Sequence, residues 1–174
     1  MKTIYILLTR SGTLLSNLVY RLTGARYTHA SLAFDEDLSC LYSSTRKNGY
    51  TMFPAGPSRE YLDRGVFRLR PDVPCALYAL EVSEEAYTRA RRRADHMMAH
   101  GNLYRFNVLE LPKHSTLMHP NDYTTLQDLH CVYEGRLSGL PQRQNMDFGG
   151  DETVVSVYLG LALGLVKAGV RQIF

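Results

Sequence analysis

Three thiols and six imidazoles make up the most reactive side chains of this 174-residue chain, the thiols being Cys40, Cys75 and Cys131. A thiolate beside an imidazole attacks carbonyl carbon: the ring takes the thiol proton, stabilises the ion pair and later protonates the leaving group. Such partners need not be close in sequence. The cysteines are odd in number and irregularly spaced, without the C-x-x-C pair or Cys/His cluster of a zinc site, so they read as reduced thiols. Cys40 and Cys75 fall in segments expected to be strands, where burial raises a thiol's pKa and blunts its reactivity. Cys131 reads either as a nucleophile or as a small buried hydrophobe.

Among the histidines, His29 opens an alternating run, and taken alone it suits a half-buried strand position as well as a catalytic one. His130 adjoins Cys131, but neighbours on extended chain point to opposite sides, which makes it a poor base for that thiol. His96 and His100 are four apart on one helix face, a spacing that can bind metal. No H-E-x-x-H pattern or third ligand accompanies them, so a surface pair is the expectation, with no metal and no cofactor.

These groups must be positioned by the surrounding elements. Thr3 to Thr9 is a β-branched, apolar run ending at Ser11-Gly12, which predicts a buried strand and a turn. Leu14, Leu15, Leu18, Val19 and Leu22 then recur at helical spacing, with Ser11 or Thr13 as cap and Gly24 as stop. Tyr27 to Phe34, an acidic turn at residues 35–37, and Leu38 to Ser44 form a hairpin pattern. A loop around Pro54, Gly56 and Pro57 leads to two further expected strands, Gly65–Arg70 and Ala76–Val82. Ser83 caps a helix with Glu84 and Glu85 in its first turn and Gly101 at its end. The order β-α-β-β-β-β-α predicts an α+β domain with an antiparallel sheet. Irregular chain follows to about Asp128, then a short strand-to-helix passage over Leu129–Leu140. A last apolar helix is expected from Asp151 to about Lys167.

A chain of this length suits one domain, spanning 1–174. The net charge of +3 is weak, and Arg89, Arg91, Arg92 and Arg93 read as a solvated helix face balanced by Glu84, Glu85 and Asp95, so no nucleic-acid partner is expected. The most apolar run, Val154 to Val166, falls short of the roughly 20 residues that span a bilayer. The first strand is too short for a signal h-region and lacks a cleavage site, which makes a cytoplasmic location the expectation.

Leu7-Leu8-Thr9-Arg10-Ser11-Gly12-Thr13-Leu14-Leu15-Ser16, then Thr23-Gly24, Tyr27-Thr28-His29-Ala30-Ser31-Leu32-Ala33 and Leu41-Tyr42-Ser43 with Arg46-Lys47, are similar to the permuted branch of the NlpC-type papain-like hydrolases (YiiX/YycO-like). Tyr78-Ala79-Leu80-Glu81-Val82-Ser83-Glu84-Glu85-Ala86-Tyr87 and Tyr104-Arg105-Phe106-Asn107-Val108-Leu109 extend the resemblance, which covers roughly residues 3 to 109. It implies a circularly permuted papain-like fold, with the catalytic histidine opening a strand and the cysteine far downstream at the start of a helix. His29 takes the histidine's place. Cys131 is the candidate nucleophile by position, although Val132-Tyr133-Glu134 does not match the residues that follow the family's cysteine. A third residue orienting the ring is sought on the adjacent strand, where Ser43, Ser44 and Thr45 are polar and Ser43 is the candidate. An alignment from Leu165-Val166-Lys167-Ala168-Gly169-Val170 instead sets Ser156 or Val157 at the cysteine's place, and would mean that the nucleophile is lost.

The resemblance implies cysteine-dependent hydrolysis or acyl transfer on an amide, ester or thioester, with a small peptide, modified amine or lipid-like substrate. The alternative is a catalytically degenerate relative that acts as a ligand- or peptide-binding module.

Overall fold

The computed structural model describes residues 1–23, 26–46, 55–103 and 129–140. In chain order these form β1 (Lys2–Thr9), α1 (Leu14–Thr23), β2 (His29–Ala33), β3 (Leu41–Arg46), β4 (Ala55–Glu60), α2 (Gly65–Leu69), β5 (Pro74–Val82), α3 (Glu84–Ala99) and β6 (Leu129–Arg136), followed by a 3-10 turn at Leu137–Gly139. The architecture is α+β. Six strands make one open sheet in the order β4-β3-β2-β1-β5-β6, and every neighbouring pair is antiparallel.

Ile4–Leu8 of β1 and Pro74–Leu80 of β5 are continuous apolar runs because these strands lie inside the sheet with both faces covered. Ile4, Ile6 and Leu8 turn to one side, where Leu32, Phe34, Tyr42, Ala76, Tyr78 and Leu80 meet Ala90 and Ala94 of α3. Leu7 turns to the other, with Ala33, Leu41, Cys75 and Leu77, beneath Phe67, Val73 and Leu137. The period of two along each strand separates these layers.

Helix α3 follows its sequence signals. The Ser83 hydroxyl accepts from the Ala86 backbone N–H at 3.2 Å, with Glu84 and Glu85 in the first turn. In α1, the Thr13 hydroxyl accepts from the Ser16 N–H at 3.3 Å. The expected hairpin is β2 and β3, in a register that sets Ser31 opposite Ser43.

Two expectations are corrected. The segment around Gly56 and Pro57 is not a loop but the edge strand β4, where proline's missing N–H removes no bond that the sheet interior needs. Gly65–Arg70 is not a strand: residues 65–69 form α2. This segment connects the edge strand β4 to the interior strand β5, so it crosses a sheet face. There it drives Phe67 into the core and leaves Leu69 82% exposed, a side-chain distribution of one helical turn. The expected passage over Leu129–Leu140 is β6 followed by the 3-10 turn. The C-terminal helix from Asp151, with Ser156 and Val157, and the Tyr104–Leu109 motif lie outside the described residues. Among the described residues no helix is long and apolar enough to cross a membrane.

Candidate active site

His29 is the first residue of β2 and pairs with Thr9, the last residue of β1. Ala30 packs into the layer beneath α3, so alternation turns His29 and Ser31 to the opposite face, beside Phe67. The imidazole and Phe67 ring centroids are 6.4 Å apart at 46°.

Its partner is an acid that the sequence reading did not select. Glu60 ends β4, and its Oε2 lies 2.7 Å from His29 Nε2. The Ser31 hydroxyl donates to the same Oε2 at 3.2 Å and lies 3.3 Å from Nε2. The side chains of His29 and Glu60 are only 21% and 12% exposed. Burial by itself would lower the imidazolium's pKa, but the charge and hydrogen bond of Glu60 outweigh it and hold His29 above its ordinary 6.5. Burial would likewise raise the carboxyl, but the His29 charge and hydrogen bond, with help from Ser43 and Ser31, hold Glu60 below its ordinary 4.5. Each group thus favours the charged form of the other.

Ser43, the candidate orienting residue, is 5% exposed and sits across from Ser31 on the same face. Its hydroxyl helps to hold the Glu60 carboxylate charged. Its geometry falls short of a hydrogen bond, leaving Ser43 Oγ without a partner among the described residues. Glu60, rather than Ser43, takes the orienting position at the ring. With Nε2 engaged by Glu60, Nδ1 is the ring nitrogen that this contact leaves uncommitted.

The structure does not bring His29 and Cys131 together. Cys131 pairs with Tyr78 on β6 and packs into the layer beneath α3, the face opposite His29. Strand β6 is also three strands from β2, roughly 14 Å at the usual sheet spacing. Burial pushes the Cys131 thiol above its ordinary 9.0, and Glu134 adds to the effect against a lowering hydrogen bond with the Tyr133 backbone. Cys40 packs into the same layer as Cys131. Cys75 shares the His29 face but lies beyond Thr9, two strands away, with burial pushing its thiol up to about 11. Among the described residues, no thiol is placed to form an ion pair with His29.

His96 and His100 stack with ring centroids 4.2 Å apart, and no group of three or more possible metal ligands occurs among the described residues. His130 is exposed.

No family model, curated protein or solved structure matches the chain.

The signal for Glu60 was weak. It follows Pro57-Ser58-Arg59 in a stretch that reads as loop, and without β4 there is no strand to carry a carboxylate to the ring.

Proposed function

We propose that the sheet belongs to a permuted NlpC-type papain-like domain, and that His29 with Glu60 is the acid–base unit of a hydrolase or acyltransferase acting on an amide, ester or thioester. One observation carries the reading: a carboxylate 2.7 Å from Nε2 of a histidine that opens a strand and is largely buried. That is how a general base is held in orientation and tuned above its ordinary pKa. In the reaction, His29 removes a proton from water, or from the hydroxyl or amine of an acceptor, and the oxygen or nitrogen so freed adds to the carbonyl carbon. The imidazolium then returns the proton to the departing nitrogen, oxygen or sulfur, and Glu60 stabilises its charge between the two transfers. Cys131 is not the attacker in this reading. Substrates of the proposed class are small peptides, modified amines or lipid-like acyl compounds.

The absence of a described thiol at the ring favours a second reading, a module that binds such a ligand at His29 without turning it over.

The test is hydrolysis of a panel of activated esters, thioesters and anilides by wild type and by His29→Gln, Glu60→Gln and Cys131→Ser. Acyl transfer predicts a loss of about 100-fold or more in His29→Gln and an unchanged rate in Cys131→Ser. Turnover indifferent to His29, or no turnover by wild type, overturns it and leaves the binding module.

A further inference from the structure

A second feature lies around the start of β5, where Arg10, Arg26, Pro74, Gly135 and Arg136 line a cleft of about 360 Å³. The arginines are distant in sequence, and the sheet gathers them. Thr9 pairs with Cys75, while Pro74 pairs with Arg136 and Cys75 with Gly135. The Arg10 backbone N–H donates to the Pro74 carbonyl at 3.0 Å. The end of β1, the segment entering β2 and the end of β6 therefore each bring one arginine to the lining of the same cleft.

Each guanidinium is held from the protein side. Arg10 lies 3.9 Å over the Tyr20 ring centroid. Arg26 pairs with Glu134, which also accepts from the Tyr27 hydroxyl at 3.0 Å. The Arg136 Nη1 donates to the Asp72 carbonyl at 2.6 Å. A guanidinium carries five N–H donors in a rigid fork, so one fixed contact orients it and leaves further donors for a ligand. Glu134 neutralises one of the three charges, and the other two belong to residues that line the same cleft. Like charges gathered this way repel one another, and a bound anion relieves that repulsion.

We propose that this cleft binds a phosphate monoester. A planar carboxylate is satisfied by a single guanidinium fork, whereas three forks supplied by three segments suit a group with several free oxygens and up to two charges. The cleft extends beyond what a phosphate alone fills, which accommodates the organic group attached to it. Phosphate of this kind is carried by a soluble ester or by a lipid headgroup. The proposal is independent of the chemistry at His29.

The experiment is titration of the whole chain with inorganic phosphate, glycerol phosphate, and phosphatidic acid vesicles against phosphatidylcholine vesicles. Binding is read by calorimetry and by amide shifts. Arg10→Gln and Arg136→Gln should each weaken binding about tenfold or more, as loss of a charge-assisted contact does. Arg92→Gln, on the exposed face of α3, should bind like wild type. Shifts should centre on residues 10, 26, 135 and 136, with the two ligand arms showing whether the ester is soluble or lipid-borne. No binding in any arm overturns the proposal. So does binding unaffected by Arg10→Gln and Arg136→Gln, or shifts centred elsewhere in a wild-type titration, which stands even if a variant fails to fold.

Discussion

Glu60 Oε2 meets His29 Nε2 at 2.7 Å although β3 lies between their strands. The carboxylate reaches across β3, whose Ser43 hydroxyl makes no hydrogen bond of its own among the described residues. Glu60→Gln removes the charge that holds the imidazolium up and leaves the burial that pushes it down. The His29 pKa, followed by NMR titration, should therefore fall below its ordinary 6.5 in this variant. A value that stays above it would show that something other than Glu60 sets the ring's charge.

The pair also fixes a pH window for stability. His29 is raised above 6.5, so its contribution is fully present below 6.5 and is lost as pH rises through its folded value. Glu60 is lowered below 4.5, so its contribution is fully present above 4.5 and is lost as pH falls through its folded value. Both act in full between those limits. The unfolding free energy of wild type minus that of His29→Gln/Glu60→Gln, measured by denaturant from about pH 3 to about pH 9, should show a maximum between them. A pH-independent difference would rule out a charged pair.

Thiol reactivity checks the separation of Cys131 from His29. Alkylation of Cys131 should be slow below its ordinary pKa of 9.0 and equal in wild type and His29→Ala, since burial disfavours the thiolate and the ring lies on the other face. Cys75, fully buried with a thiol near 11, should stay unlabelled in the native protein. Rapid labelling of Cys131 near neutral pH that disappears in His29→Ala would restore it as the nucleophile.

Where local signals agree, the sequence is informative. β1, β2, β3, β5 and α3 follow from apolar runs, alternation and the Ser83 cap, because each signal is local and each element is central or strongly amphipathic. The site was half legible for the same reason. His29 stands in an alternating strand, while Glu60 follows a proline on an edge strand that composition disguises as loop. Cys131 drew notice through its separation from His29 along the chain. Separation does not specify strand order or face, and both are settled only when β6 pairs with β5 through Tyr78.

Helix α2 yields the last prediction. Its five residues carry no side-chain hydrogen bond at the N-cap Arg64, and so short a helix has no stability of its own. Packing must hold it, and Phe67, 3% exposed, is the residue that enters the core beneath it. Phe67→Ala should lower the unfolding free energy by about 3 to 5 kcal/mol, the sum of lost transfer energy and an unfilled cavity. It also removes the ring beside His29. Leu69, two residues on but 82% exposed, should tolerate alanine within about 0.5 kcal/mol. Denaturant unfolding of both variants decides the matter: comparable losses would mean that Phe67 does not anchor α2, and that the wall beside His29 is held by other contacts.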